Sequence, residues 1–143
     1  MKCSELMKTD VVSCATTALV GAVAEQMRRS NVGFVPVCAN DGAVIGTLTD
    51  RDLVLRVLAD YRDPDTTTAM DVMTRDVIGC SPTDDLEIAE QLMSKHKVSR
   101  ILCVDELKRP LGVISLSDIV TAERRGVGSA VLRSVSQREA SRA

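Results

Sequence analysis

The chain has 143 residues, 45% of them apolar, a formal net charge of −2, and only Phe34 and Tyr61 as aromatics. That size and apolar share suit one compact domain or two small halves sharing a core. The charge offers no basic field for nucleic acid, the scarce aromatics offer no stacking platform for single strands, and no run reaches the ~18 apolar residues of a membrane span.

Val11-Val12-Ser13-Cys14 is predicted as a short strand. Thr17 is placed to cap a helix carrying Val20, Val23, Ala24 and Met27 on one face and ending near Ser30. Phe34 to Cys38 reads as a second strand, with Pro36 suggesting a free edge. Asn40-Asp41-Gly42 makes a turn, and Val44 to Thr49 a third strand. A helix from about Asp50 to Ala59 turns Leu53, Val57 and Leu58 inward.

The same order then returns. Val77 to Cys80, a Thr83-capped helix to Lys95 carrying Leu86, Ala89, Leu92 and Met93, Arg100 to Val104, Leu111 to Ser115, and a helix from Ser117 repeat the first series. The register is constant: Met7 returns 66 residues later as Met73, Gly46 as Gly112, and Thr17, Met27 and Val32 as Thr83, Met93 and Val98. An ungapped repeat of this length means two copies of one β-α-β-β-α unit, an α/β fold in which any site exists twice. The expected division is a first repeat at 1–60, a polar linker at 61–67, a second repeat at 68–122 and a basic tail at 123–143. Thr68 to Met73 makes a helical turn, with Cys3 to Met7 as its counterpart. The tail sets five arginines against Glu123 and Glu139, and Ser129 could cap a short helix there.

The cysteines at 3, 14, 38, 80 and 103 include no CxxC pair or Cys/His ligand spacing, so a disulfide framework or metal site is not expected. The N-terminus lacks a signal core, which points to a cytoplasmic protein. His96, the single histidine, sits at a helix end, and no nucleophile–His–acid set, P-loop or GxGxxG is present, so no enzyme is expected. The constellation that stands out is Thr49-x-x-Asp52, repeated as Ser115-x-x-Asp118, each where a strand meets a helix. A carboxylate there can accept from both hydroxyls of a vicinal diol, with the Thr or Ser oxygen beside it. The same pattern is also a capping box, which only closes a helix start.

Met-x-x-Asp-Val at the start of each unit, Val35-Pro36-Val37, and Gly-x-x-Thr/Ser-x-x-Asp at the end together resemble a tandem pair of CBS domains, a Bateman module, across residues 1–122. The resemblance implies two halves related by a pseudo-twofold axis, with clefts that bind AMP, ADP, ATP or other adenosyl compounds as regulatory ligands rather than cofactors. By that similarity Asp52 and Asp118 hold ribose hydroxyls, with Thr49 and Ser115 beside them. Val11, Val12, Val35 and Pro36 would line one adenine slot, and Val77, Ile78, Ile101 and Leu102 the other. Arg100 stands where a phosphate is met. Leu102 departs from the expected Pro, and Phe34 stands where the second copy has Arg100, so the two sites should differ. The functional expectation is an adenine-nucleotide sensor that controls a partner protein. The alternative is a dimerisation scaffold with vestigial clefts. A homodimer is expected through helix faces such as Leu53-Val57 and Ile119-Val120, with neither nucleic acid nor membrane as partner.

Overall fold

The computed structural model of the chain describes residues 1–124. The expected Ser129 helix and nearly all of the tail lie outside them. Elements follow the order α1 (Cys3–Leu6), β1 (Cys14–Ala15), α2 (Val20–Ser30), β2 (Phe34–Cys38), β3 (Val44–Thr49) and α3 (Asp50–Leu53), which runs on as π-helical turns at Val54–Leu58. Then come α4 (Ala69–Val72), β4 (Gly79–Cys80), α5 (Leu86–His96), β5 (Arg100–Val104), β6 (Pro110–Ser115) and α6 (Leu116–Glu123). Two three-stranded sheets result, β1-β2-β3 and β4-β5-β6, each with a parallel pair followed by an antiparallel pair. This is the α/β fold expected of the repeat.

The compact units do not coincide with the sequence repeats. Among the described residues, Val12–Val77 forms one, the continuous unit, while Met1–Val11 joins residues 78–124 to form the other, the split unit. Each repeat has thus given its opening segment to the other's sheet. The backbone shows why the exchange is stable. Lys8 and Val113 exchange both N–H···O bonds at 3.0 Å, and Thr74 and Thr47 do so at 2.9 Å. Beside these bridges the side chain of Met7 lies over Gly112 and that of Met73 over Gly46. A Cβ on Gly112 would come within 2.9 Å of Met7 Cβ, and one on Gly46 within 3.0 Å of the Thr74 carbonyl oxygen. The glycine that ends one repeat and the methionine that opens the other are therefore two parts of one contact.

The exchanged segments also start the helices. Instead of the expected Thr17 and Thr83 caps, α2 begins after Leu19 and α5 after Asp85, neither with a side-chain cap. The first free N–H of α2, on Val20, donates to the Thr67 carbonyl, and that of α5, on Leu86, to the Met1 carbonyl, both at 2.9 Å. Backbone carbonyls from neighbouring segments thus do what a hydroxyl would otherwise do. Both helices stop in the left-handed region, at Asn31 (φ 53°) and Lys97 (φ 54°). The core of the continuous unit gathers Val20, Val23, Val35, Val37, Leu48 and Ala69; that of the split unit gathers Cys3, Leu86, Ala89, Ile101, Cys103 and Ile114.

Besides Ala24, which is exposed rather than on the buried face of α2, two expectations need correction. Pro36 does not mark a free edge, because β2 is the central strand of its sheet. Pairing with β1 begins only at Val37, one residue beyond the proline, so the missing N–H breaks no β1–β2 ladder bond. At the equivalent place in the split unit, Leu102 N–H donates to the Ile78 carbonyl at 3.3 Å. The second correction is Leu58, which is 72% exposed rather than inward. The π-helical turns, seen in the Ala59 N–H to Val54 carbonyl bond, widen the spiral there and carry Leu58 out while Val57 stays buried.

Candidate functional site

Each unit ends its antiparallel hairpin in the same local structure. The strand runs directly into a helix, and the hydroxyl residue is the N-cap. In the continuous unit Asp52 N–H donates to Thr49 Oγ1 at 3.1 Å, while Thr49 N–H donates to Asp52 Oδ2 at 3.0 Å. In the split unit Asp118 N–H donates to Ser115 Oγ at 3.2 Å and Ser115 N–H to Asp118 Oδ2 at 3.1 Å. Both are reciprocal capping boxes. Each uses one carboxylate oxygen and leaves the other, and these differ. Asp52 Oδ1 lies 3.6 Å from Arg56 Nη2, on the next turn of its own helix. Asp118 Oδ1 lies 3.4 Å from Lys8 Nζ, on the exchanged segment. The carboxylates are 14% and 17% exposed, half-sheltered yet reachable. Arg56 is further anchored, its Nη1 donating to the Val72 carbonyl at 2.8 Å and to Thr74 Oγ1 at 3.0 Å.

The β2 and β5 residues before this corner follow the strand's alternation. Phe34 pairs with Thr49 and Arg100 with Ser115, which puts each directly across the ladder from a cap residue. A second tie draws the strand start to the helix: Asp50 N–H donates to the Gly33 carbonyl at 3.1 Å, and Leu116 N–H to that of Ser99 at 2.8 Å.

The family model for the CBS domain matches twice, at residues 3–59 and 69–125. The chain belongs to the CBS-domain family. It is 33% identical over 129 residues to the CBS domain-containing protein YhcV of Bacillus subtilis, spanning 89% of this chain and 90% of that protein. The CBS domain protein PAE2072 from Pyrobaculum aerophilum, solved in complex with AMP, is 26% identical with a TM-score of 0.77, covering 94% of this chain and 99% of that one. Hypoxic Response Protein I, solved with two coordinated zinc ions, is 28% identical with a TM-score of 0.76, covering 84% and 97%.

Within each CBS unit the sequence-derived residues separate into groups. Thr49 and Asp52 come together with Phe34 across the ladder, as do Ser115 and Asp118 with Arg100. Val35 and Ile101 do not share a face with Pro36 and Leu102. Val35 and Ile101 belong to the cores beneath α2 and α5, whereas Pro36 and Leu102, equally buried, lie outside those cores because adjacent strand residues point to opposite sides. Val12 and Ile78 are partly buried against those same cores. Val11 and Val77 are half-buried next to them in sequence. Arg100 lines a groove of about 760 Å³ between α5 and α6, shared with Lys97, Glu90 and Glu123. Burial, then the charge of Glu123, raises the Glu90 carboxyl above the ordinary glutamate range. His96 is exposed in the last turn of α5.

The fold also brings together what spacing did not announce. Cys3 of α1, Cys80 of β4 and Cys103 of β5 meet in the core of the split unit. Burial, followed by the neighbouring Cys80, pushes the Cys3 thiol up to about 12. Cys80 is pushed up too, first by its hydrogen bond with Cys103 and then by burial. The available sequence signal was the 66-residue register, which aligns Cys80 with Cys14 and Cys3 with Ala69.

Proposed function

We propose that the chain is a non-enzymatic, cytoplasmic regulatory module that binds an adenine nucleotide, AMP, ADP or ATP, and passes its binding state to a partner protein. The supporting observation is the pair of capping boxes. In both, backbone N–H groups hold one carboxylate oxygen in place, so the other is oriented before any ligand arrives. A ribose diol would donate to Asp52 Oδ1 or Asp118 Oδ1 and replace an ion pair of 3.4–3.6 Å. AMP on the related PAE2072 supports the same ligand class. Thr49 and Ser115 would flank the ribose, Arg100 would meet phosphate, and Val11, Val12, Pro36, Val77, Ile78 and Leu102 would supply apolar wall. Val35 and Ile101 would contribute only backbone. A partner can sense the ligand only if two arrangements of the module bind it with different affinity.

The test is a thermal-shift panel of AMP, ADP, ATP, GTP and S-adenosylmethionine. A ligand at one hundred times its dissociation constant adds ~2.7 kcal/mol of stability. A rise with adenine nucleotides and none with GTP is expected. No shift with any of the five would sink the proposal, as would nucleotide turnover over hours. The second reading, a scaffold that needs no ligand, draws support from the same boxes, since each carboxylate already caps a helix. Asp52→Ala and Asp118→Ala separate the two: a scaffold would lose melting temperature and have no affinity to lose.

A homodimer belongs to this proposal, but its contact faces change. Val57 and Ile119 are buried, so they cannot form the expected surface; the large apolar residues exposed on those same helical segments are Val54, Leu55 and Leu58, and Leu116 on α6. A monomeric mass by light scattering at micromolar concentration would refute the dimer.

A further inference from the structure

Three thiols converge where the fold has no packing need for sulfur. Cys80 Sγ lies 3.7 Å from Cys3 Sγ and 3.7 Å from Cys103 Sγ, and all three sulfurs fall within 4.8 Å of one another. Cys3 and Cys103 are fully buried and Cys80 nearly so. They come from separate elements, α1, β4 and β5, with Cys80 77 positions after Cys3 in the chain. The matching positions of the continuous unit are Ala69, Cys14 and Val37. That core packs with one sulfur at these places, and cysteine behaves there as a small apolar group that Ala or Val can replace.

The spacing matches metal coordination. A tetrahedral ion with metal–sulfur bonds of ~2.3 Å sets its sulfur ligands about 3.8 Å apart. Two of the three distances are already there. The donor set is all sulfur, which selects ions of the zinc and copper(I) type over magnesium or calcium. We propose that Cys3, Cys80 and Cys103 bind one thiophilic metal ion per chain, in the split unit alone. The ion replaces the thiol protons as it binds. Because Cys3 opens α1 two residues after Met1, whose carbonyl caps α5, the ion pins the exchanged segment to the strands it serves. Without it, that segment is held by hydrogen bonds, packing and the ion pairs of Lys2 with Asp85 and Lys8 with Asp118.

The test uses the full chain, kept reduced, incubated with zinc alone and freed of excess by gel filtration. One zinc per chain is expected. Cys3→Ala and Cys103→Val, which install the residues of the continuous unit, should each lower retention at least tenfold, while Cys14→Ala and Cys38→Ala leave it unchanged. Cobalt substituted into the unmodified chain should show charge-transfer absorption of three-thiolate intensity, so the result does not depend on the variants folding. A wild-type chain that retains no zinc, a cobalt spectrum of fewer than three thiolates, or undiminished zinc in folded Cys3→Ala would each overturn the proposal.

Discussion

The continuous and split units meet the same backbone demands with the same backbone groups, and they diverge where side chains matter. Val20 and Leu86 both find a carbonyl from a neighbouring segment, Thr47 and Val113 both bridge to an exchanged strand, and Asp52 and Asp118 both close a capping box. None of these backbone bonds depends on side-chain identity, so the scaffold tolerates sequence drift between copies. The differences fall on Phe34 against Arg100, Pro36 against Leu102, Arg56 against Lys8 as the carboxylate's cation, and Ala69 and Val37 against Cys3 and Cys103. One scaffold thus carries two chemically distinct surroundings for the same carboxylate.

The hardest test of the shared scaffold is to fill its glycines. Gly112→Ala and Gly46→Ala should each cost about 1–3 kcal/mol by overpacking, because each added Cβ meets an atom that cannot swing away, Met7 Cβ in one unit and the Thr74 carbonyl oxygen in the other. Met7→Ala should recover part of the Gly112→Ala loss, giving a non-additive double-mutant cycle in urea denaturation. Additive costs would show that the methionine and glycine are not one contact.

The carboxylates come next. Asp52→Ala and Asp118→Ala should each lower stability by ~1 kcal/mol through loss of the cap. If the nucleotide proposal holds, each should also weaken its own site by ~1.5–3 kcal/mol in titration calorimetry. Arg100→Ala should then reduce affinity for AMP much more than for adenosine, while Phe34→Ala weakens both by similar factors. Equal losses for AMP and adenosine in Arg100→Ala would show that Arg100 serves its groove and not a phosphate.

The cations should separate by anchoring. Arg56→Ala loses two bonds to the α4 region and should cost about 1–2 kcal/mol. Lys8→Ala, 66% exposed with a long ion pair, should cost at most about 0.5 kcal/mol. Similar effects from both would mean the two carboxylates are held alike. The smallest expected effect is on pH. Glu90 holds its proton more tightly folded than unfolded, so stability falls as pH rises through the interval just above the ordinary glutamate range. The continuous unit has Ala24 at that position, so Glu90→Ala should flatten this slope in chemical denaturation. An unchanged slope would place the pH response elsewhere.

Both repeats, the succession of their elements and the position of each Thr/Ser-x-x-Asp box were readable in the sequence, because apolar period and repeat register are local signals; the central place of β2 in its sheet was not. Thr17 and Thr83 misled because a capping hydroxyl is judged from neighbours in the chain, while the real caps, Thr67 and Met1, come from other segments. Val35 was read with Pro36 as one wall although strand alternation sends them to opposite faces. The cysteine trio was hidden because no local spacing joins Cys3 to Cys80.

The exchanged segments also impose an order of assembly. Residues 12–77 contain every part of the continuous unit, whereas the split unit needs both the first eleven residues and those from Ile78 onward. During synthesis the first can close while the second still waits for its sheet. The bridge from Lys8 to Val113 closes a loop roughly four times longer than that from Thr47 to Thr74. At ~0.6 kcal/mol for each doubling of length, the longer closure costs about 1.2 kcal/mol more. Within this chain the segment around Lys8 is made before Val113, its bridge partner, and must wait for it.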